Sequence, residues 1–213
     1  MPAILIYLLT AIGAYLLGSI PFGFLVARAR GVDIRSAGSG NIGATNAMRV
    51  LGKPAGMAVL LLDAAKGYAA VKFLPLLLLT VLPPSSTEPV MLPLLAGIFA
   101  VLGHNYTCWL KFKGGKGIAT TAGVYLALAP GALLIALVVF LLAVAVTRYV
   151  SVGSIAAAIA LPAAVWIMPP HDLCLGLVTT ALGVLAIYKH KTNIQRLRAG
   201  TENRLGSKAK EAK

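Results

Sequence analysis

The clearest chemical signal is a glycine-rich polar segment that runs from Asp33 to Arg49 and reads DIRSAGSGNIGATNAMR. Its glycines permit unusual dihedral angles and close backbone approach, so that successive backbone N–H groups can point at one anion. Short hydroxyl and amide side chains add donors, and the terminal arginine can make a forked contact with phosphate. Glycine, serine and asparagine also occur in ordinary turns, but their density beside an arginine favours phosphate binding. The candidate ligands are Gly38, Ser39, Gly40, Asn41, Gly43, Thr45, Asn46 and Arg49.

A second glycine-rich segment, GHNYTCWLKFKGGKGIAT, runs from Gly103 to Thr120 and includes three lysines. It lacks the GxxxxGK[ST] pattern of a nucleotide-binding P-loop. A helix is predicted to begin after Gly117, and its N-terminus would offer free N–H groups and a positive dipole end to an anion. His104 within this segment is interpreted first as a packed polar residue near the membrane interface.

A third polar segment, KHKTNIQRLRAGTENR, runs from Lys189 to Arg204 and follows the last apolar run. A basic tail attracted to anionic lipid is the ordinary explanation for such a sequence, and we apply it to the residues after Gly206. The segment itself is more varied than a polybasic tract, because it mixes histidine, asparagine, arginine, glycine and glutamate. It therefore favours a second anion-binding surface.

The elements that must position these segments are membrane-spanning helices. The chain of 213 residues is 59% hydrophobic and 12% charged, whereas a soluble domain is about 25% charged. One small core cannot bury so many apolar side chains, so lipid is the expected solvent. Pro130 and Gly131 divide the longest apolar run into two helices, the first of which is short for a full crossing. The runs are Ala3–Val26, Ala55–Leu82, Val90–Leu110, Ile118–Thr147, Val152–Met168 and Leu173–Tyr188.

The placement of basic residues predicts the orientation of these helices. Lysines and arginines follow the first, third and fifth spans and fill the C-terminal segment, whereas Pro83–Pro89 and Pro169–Asp172 contain none. Seven spans put every basic loop in the cytoplasm, while six would leave the basic C-terminus outside. We therefore expect an all-α integral membrane protein with seven transmembrane helices, the N-terminus outside and the C-terminus cytoplasmic. Residues 1–206 would form a single membrane domain and residues 207–213 a disordered basic tail.

The net charge of +13 is therefore interpreted as a topology signal, and we expect no binding of nucleic acid. Asp63 and Lys66 lie inside the second apolar run at helical spacing and can neutralise each other on one face. Two interpretations remain open for them: a structural ion pair, or a charged wall of the site. All three polar segments fall on one side of the membrane, which favours an interfacial site over the midplane site of a transporter.

Taken together, the motifs resemble those of the bacterial acyl-phosphate-dependent glycerol-3-phosphate acyltransferase family, known as PlsY. GSIPFG ends the first span, and GSGNIGATNAMR, KFKGGKG and HKTNIQRLRAGTE follow in the expected order. The resemblance covers nearly the whole chain, with one departure at Thr107, where proline is expected. It implies a multi-pass protein of the bacterial inner membrane, surrounded by membrane lipid, with seven spans and an active site that faces the cytoplasm.

The resemblance also implies an activity. A fatty acyl group would move from acyl phosphate to the 1-hydroxyl of glycerol 3-phosphate, giving 1-acylglycerol 3-phosphate (lysophosphatidic acid), the first intermediate of bacterial phospholipid synthesis. A partner acyltransferase that works on acyl carrier protein would supply the acyl phosphate. Because this donor is already activated, no covalent enzyme intermediate is needed, and the chain has no GxSxG elbow. We expect no cofactor and no metal, and catalysis by positioning and electrostatic stabilisation.

Residue roles follow from the resemblance as hypotheses. The loop Gly38–Asn46 would hold the phosphate of acyl phosphate. Arg49, Lys116, His190 and Asn193, helped by Ser154, would hold glycerol 3-phosphate. A substrate phosphate oxygen is the favoured proton acceptor, with Asp63, His190 and His104 as alternatives. Two other functions remain open, an organic-anion transporter and a lipid head-group transferase of the CDP-alcohol class, although the aspartate-rich signature of that class is absent.

Overall fold

A computed structural model describes residues 3–81, 91–170 and 172–206, and within these residues the regular structure is helical, without strands. They divide into two compact units, one that ends at Leu128 and one that begins at Ala129. The single domain over residues 1–206 stays a prediction. The tail 207–213 and the whole connection Pro83–Pro89 lie outside the described residues, together with residues 82 and 90.

The helices of both units follow the apolar runs. The first unit contains α1 (Ala3–Ser19), α2 (Phe22–Arg28), α3 (Ala44–Leu51), α4 (Lys53–Lys72), α5 (Leu74–Val81), α6 (Met91–Asn105), a 3-10 turn (Cys108–Leu110) and α7 (Ile118–Leu128). The second contains α8 (Pro130–Thr147), α9 (Val150–Ile167), α10 (Leu173–Lys189) and α11 (Lys191–Arg198). Two expectations are confirmed: α7 begins directly after Gly117, and the run from Ile118 to Thr147 divides between Leu128 and Pro130.

Five helical segments of the described chain are long and apolar enough to span a membrane, and a sixth is added if α10 and α11 count as one bent span. The segment predicted as the remaining span is α7, whose 11 residues extend about 16 Å, roughly half of the hydrocarbon thickness. Its shortness agrees with the sequence analysis. The chain is a multi-pass membrane protein, while the count of seven and the orientation stay predictions.

Helices α1 and α6 pack with their backbones in close approach. A Cβ atom at Gly18 would collide with the carbonyl oxygen of Ala100, and one at Gly103 would collide with that of Tyr15. Small residues allow this kind of packing in membranes, where apolar burial between helices gives no advantage over lipid. The Tyr15 hydroxyl also donates to the carbonyl of Tyr106 at 2.7 Å. The end of α6, and with it the start of the second polar segment, is thereby fixed against α1.

Thr107, the departure from the expected motif, lies in a buried turn after α6. Its φ of −63° and ψ of 127° are values that a proline residue adopts. Its hydroxyl donates at 2.6 Å to the carbonyl of Ser19, the last residue of α1, a bond that proline could not make. The backbone N–H of Phe112 donates back to the Thr107 carbonyl at 2.9 Å. The turn therefore keeps a proline-compatible backbone and adds a side-chain contact.

In the second unit, α9 packs against both α8 and α10. Helix α11 departs from the axis of α10 by 52°, and His190 is the residue at which one helix ends and the other begins. The turn after α11 uses Gly200 at a φ of +68°, which returns the chain toward α9. The bend and this return place the third polar segment beside the N-terminal turn of α9.

Candidate active site

The loop between α2 and α3 is organised by the Asn46 side chain, which is 2% exposed. Its Oδ1 atom accepts the backbone N–H of Ser39 at 2.8 Å. Its Nδ2 atom lies 3.3, 3.0 and 2.9 Å from the carbonyl oxygens of Ile34, Ala37 and Asn41. One amide group therefore joins four backbone positions of the loop. Asn46 was predicted as a ligand, and its contacts give it a second role in shaping the loop.

The glycines of this loop lead the chain into the N-terminus of α3. Gly38 and Gly40 have φ angles of +60° and +71°, which side chains other than glycine rarely adopt. Gly43 is the N-cap of α3, and no side chain caps the helix there. The backbone N–H groups of Asn46 and Ala47 donate to the Gly43 carbonyl at 3.1 Å each. The first two N–H groups of the helix, those of Ala44 and Thr45, precede these bonds and are suited to bind an anion. Thr45 and Arg49 follow at a spacing of four residues on α3 and share one face.

Asp33 is a carboxylate within this segment for which no role was predicted. It accepts two hydrogen bonds from the Arg35 guanidinium, at 2.9 and 2.8 Å, and both side chains are about half exposed. The side-chain and backbone hydrogen bonds from Arg35 lower the pKa of Asp33 to about 2. The group is therefore ionised and paired at neutral pH, which makes it a poor proton acceptor.

Lys116 is held in a turn that rests on the C-terminal end of α6. The backbone N–H of Gly115 donates to the His104 carbonyl at 3.0 Å. Gly117 has a φ of +83° and directly precedes α7, whose first turn includes a bond from the Thr121 N–H to the Gly117 carbonyl at 2.7 Å. Half-buried Lys116 thus lies beside the N-terminus of α7, as the sequence predicts.

Asp63, Lys66 and His104 form a buried ionic cluster between α4 and α6. The Lys66 Nζ atom lies 2.8 Å from Asp63 Oδ1, and His104 Nδ1 lies 3.5 Å from the same oxygen. The three residues are 2%, 3% and 5% exposed. The predicted neutralising pair of Asp63 and Lys66 is confirmed. Deep burial and the two basic neighbours favour the structural interpretation, and the catalytic assignments of Asp63 and His104 stay predictions.

His190 and Asn193 lie at the bend between α10 and α11 and are 3% and 5% exposed. The Nδ1 atom of His190 lies 2.8 Å from the carbonyl oxygen of Ala186. A carbonyl can only accept, so Nδ1 carries the hydrogen, and in the neutral ring Nε2 carries the lone pair. Ser154, on α9, donates its hydroxyl to the Val150 carbonyl at 3.0 Å.

Glu202 joins the elements around Asn193. Its Oε1 atom accepts from Asn193 Nδ2 at 2.7 Å and from the Ser151 hydroxyl at 3.1 Å, and its Oε2 atom accepts from Arg196 Nε at 2.8 Å. Burial alone would raise the pKa of Glu202, but the hydrogen bonds from Arg196, Asn193 and Ser151 outweigh this effect and lower the pKa. The carboxylate therefore stays charged and fixes Asn193 against α9.

Glu202 and Ser151 were not predicted as functional. The available signal was a single carboxylate in a segment otherwise rich in lysine and arginine, because an acidic residue in such a place usually has a designated partner. Its partner Ser151 lies 51 residues earlier in the chain, a separation that helical spacing cannot reveal. Ser151 thus makes a contact between α9 and the third segment, while the assignment of Ser154 to glycerol 3-phosphate stays a prediction.

The family model described as glycerol-3-phosphate acyltransferase matches residues 8–200. The chain belongs to this family. The glycerol-3-phosphate acyltransferase of Geobacter sulfurreducens is 49% identical over 197 residues, which cover 92% of this chain and 96% of the relative. That of Agrobacterium fabrum is 43% identical over 201 residues, 94% of this chain and 92% of the relative.

Solved structures of PlsY, an integral membrane glycerol 3-phosphate acyltransferase, share the fold of this acyltransferase. The glycerol 3-phosphate form superposes with a TM-score of 0.82 at 39% identity, covering 94% of this chain and 96% of the other. The lysophosphatidic acid form has a TM-score of 0.80 at 38% identity, covering 94% and 95%. The resemblance to the PlsY family that the motifs indicate is confirmed.

The predicted substrate-binding residues of this acyltransferase fall into three groups. The first is the loop and first turns of α3, with Gly38, Ser39, Gly40, Asn41, Gly43, Thr45, Asn46 and Arg49. The second is the turn that contains Lys116, and the third, in the second unit, comprises Ser154, His190 and Asn193. Within each group the local geometry suits binding of polar ligands, and the individual substrate contacts stay predictions.

Proposed function

We propose that this glycerol-3-phosphate acyltransferase takes its acyl group from acyl phosphate. The 1-hydroxyl oxygen of glycerol 3-phosphate attacks the acyl carbonyl carbon, a carbon–oxygen ester bond forms, and the bond between that carbon and the phosphate oxygen breaks. The hydroxyl proton passes to a phosphate oxygen, so that the products are 1-acylglycerol 3-phosphate and inorganic phosphate. Acyl phosphate is a mixed anhydride, and positioning with charge stabilisation is sufficient for the transfer of its acyl group to an alcohol.

The observation that carries this proposal is the loop that Asn46 closes in front of α3. It combines backbone that turns through two glycines of positive φ with uncapped amides at a helix N-terminus. Such amides bind a phosphoryl group without any side chain acting as nucleophile. We assign the phosphate of acyl phosphate to this loop, with Ser39, Asn41 and Thr45 as the contributing side chains.

Glycerol 3-phosphate is assigned to the remaining polar groups. Arg49 and Lys116 supply positive charge for its phosphate, and Asn193 and Ser154 supply neutral hydrogen bonds. His190 differs from these residues because its Nδ1–H is directed at the Ala186 carbonyl. In the neutral ring, Nε2 is then an acceptor, which suits a substrate hydroxyl better than a phosphate oxygen.

A substrate phosphate oxygen is the proposed proton acceptor. The carboxylates of the polar segments are poorly suited to this role, since hydrogen bonds from Arg35 lower the pKa of Asp33 to about 2 and Glu202 is occupied by three donors. Asp63 is buried against Lys66 at 2.8 Å. The leaving phosphate, by contrast, gains basicity as its bond to the acyl carbon breaks.

We also propose that the protein lies in the bacterial inner membrane with this site facing the cytoplasm. The positive charge of the three polar segments supports that orientation, and a partner acyltransferase on the same side would supply acyl phosphate. Single cysteines at Ser36 and Gln195, exposed positions of the first and third polar segments, introduced into a variant without Cys108 and Cys174, should react with a membrane-impermeant maleimide only after the cells are opened. Labelling of either position in intact cells would contradict the orientation.

The activity is tested with purified protein in detergent, palmitoyl phosphate and glycerol 3-phosphate. We expect lysophosphatidic acid and inorganic phosphate in equal amounts, without a membrane gradient, which excludes transport as the primary function. Acyl coenzyme A and acyl carrier protein thioesters serve as alternative donors. Turnover with a thioester but none with palmitoyl phosphate would overturn the proposed donor while leaving the family assignment intact.

Variants test the assignment of glycerol 3-phosphate. Lys116→Ala and Arg49→Ala should each raise its KM about tenfold or more, as expected for loss of a charge-assisted contact. Lys113→Ala removes an exposed lysine from the same turn and is the matched control, with KM unchanged. His190→Ala should act mainly on KM for glycerol 3-phosphate. A fall in kcat alone would instead assign proton transfer to His190.

A further inference from the structure

The buried cluster of Asp63, Lys66 and His104 has no role in the reaction described above, although intramembrane ionisable groups are costly to bury. Its members come from two helices, and each contacts a different part of the first unit. Burying a charge pair is weak evidence for stability, because desolvation opposes the attraction between the charges. The role of the cluster therefore depends on the groups that its members contact.

One side of the cluster fixes the end of α1. Lys66 Nζ donates to the Ile20 carbonyl at 2.7 Å, and this carbonyl, which lies at the break between α1 and α2, also accepts the backbone N–H of Phe22 at 3.1 Å. The centroid of the Phe22 ring lies 5.5 Å from the same nitrogen. Lys66 thus supplies a second donor to the carbonyl at the break, and Asp63 balances its charge.

The other side of the cluster supports the turn that holds Lys116. The His104 ring lies against Gly115 so closely that a Cβ atom there would collide with Nε2 and lie 2.9 and 3.0 Å from Cε1 and Cδ2. The His104 carbonyl accepts the Gly115 N–H at 3.0 Å. His104 therefore contacts the backbone of the residue before Lys116 with both its ring and its main chain, and Asp63 faces the other edge of that ring.

We propose that the buried cluster of Asp63, Lys66 and His104 is the positioning element of the Gly114–Gly117 turn, and that it thereby sets the affinity for glycerol 3-phosphate through Lys116. This inference rests on the proposed function, in which Lys116 binds the phosphate of that substrate. His104 acts through Lys116 and is a positioning residue. A displacement of the turn by a fraction of an ångström weakens a charge-assisted contact while the remaining fold is preserved.

The experiment is a double-mutant cycle on the full-length purified protein, with palmitoyl phosphate and glycerol 3-phosphate as substrates. Gly115→Ala introduces a methyl group against the His104 ring, and His104→Ala removes the ring that it meets. Each single variant should raise KM for glycerol 3-phosphate about tenfold, with KM for palmitoyl phosphate changed less than about twofold. KM for glycerol 3-phosphate of the double variant should exceed that of His104→Ala by less than about twofold, because both changes act on one contact.

Gly114→Ala is the matched control within the same turn. Its methyl group would collide with the His104 carbonyl oxygen, not with the ring, so removal of the ring cannot relieve it. In the Gly114→Ala, His104→Ala double variant, the fold-increases in KM for glycerol 3-phosphate of the two single variants should therefore multiply. If His104→Ala does not fold, His104→Asn replaces it, since asparagine is shorter than the ring but keeps an amide near Nδ1.

Leu92→Ala is a control variant that should lower the stability of the protein without moving the Gly114–Gly117 turn. Leu92 is fully buried at the opposite end of α6, about 18 Å along the helix axis, and its truncation should lower the melting temperature without raising KM. The proposal is overturned if the His104 variants lower the melting temperature but leave KM for glycerol 3-phosphate within about twofold of wild type. It is also overturned if the fold-increases in KM for glycerol 3-phosphate caused by Gly115→Ala and by His104→Ala multiply in the double variant. Absence of wild-type turnover with palmitoyl phosphate would overturn the proposed function instead.

Discussion

Asn46 donates to and accepts from the loop that precedes it, and its shortest contact joins its Oδ1 atom to the Ser39 N–H at 2.8 Å. The same side chain presents Nδ2 to three carbonyl oxygens. A residue at the start of a helix thus determines the path of the chain up to twelve residues earlier. The proposed phosphate site depends on this one amide.

Asn46→Asp tests that dependence with almost no change of shape. Aspartate keeps the acceptor for Ser39 but replaces the donor with an oxygen that faces three carbonyls, and the buried charge adds a desolvation cost. We expect kcat/KM for acyl phosphate to fall about 100-fold or more, measured at saturating glycerol 3-phosphate. Ser36→Ala, at an exposed position of the same loop, is the control and should retain wild-type kinetics.

Glu202→Gln tests the contact between α9 and the third polar segment. The substitution keeps the volume, but it removes the charge that Arg196 pairs with at 2.8 Å and presents an NH₂ group to at least one donor. Hydrogen bonds to charged groups contribute about 1.5–3 kcal/mol each, so we expect a clearly lower melting temperature and reduced activity. Arg204→Gln, which removes an exposed contact to Tyr149, should change the melting temperature little.

The pKa of Glu202 predicts how stability depends on pH. Its folded-state pKa lies below the ordinary value of 4.5, so the unfolded state takes up a proton first as the pH falls. The stabilisation is complete above the ordinary pKa and is lost as the pH falls through the folded-state pKa. The melting-temperature difference between wild type and Glu202→Gln should therefore be constant from pH 7 to about 5.5 and shrink below about 4.5. A difference that grows on acidification would contradict the assignment.

Gly18→Ala tests the close packing of α1 on α6. The added methyl group would collide with the backbone carbonyl of Ala100, which cannot move without displacing α6. Overpacking of this kind costs about 1–3 kcal/mol, and we expect a lower melting temperature in detergent. Gly13→Ala, on the same helix, would meet only the flexible Leu74 side chain at 3.1 Å and should leave the melting temperature nearly unchanged.

The sequence predicted the helical segments better than their interruptions. Apolar runs depend on local composition, and they located the cores of the spans and the division before Pro130. The run from Ala3 to Val26 was predicted as one helix, yet α1 ends at Ser19 and α2 begins at Phe22. At this break the Ile20 carbonyl accepts a hydrogen bond from Lys66, which lies 46 residues further along the chain. Spacing along one segment cannot report a partner of that kind.

The candidate site was predicted as three polar segments, and the structure adds how each is held. Residue type suggested that Asn46 would bind a ligand, because an exposed amide and a buried one look alike in a sequence. Glu202 was noted only as part of a varied segment. Both side chains make contacts that depend on how the loop folds back, which composition and helical periodicity do not specify.

Thr107 shows that one corner of the chain can be held in two different ways. Its φ of −63° is the angle that a pyrrolidine ring would impose, and a ring would act by limiting the conformations of the unfolded chain. Threonine leaves the unfolded chain free and instead ties the corner to Ser19 at 2.6 Å. Exchange between the two residues would therefore move the restraint from the entropy of the unfolded state to the enthalpy of the native one, with the backbone path unchanged.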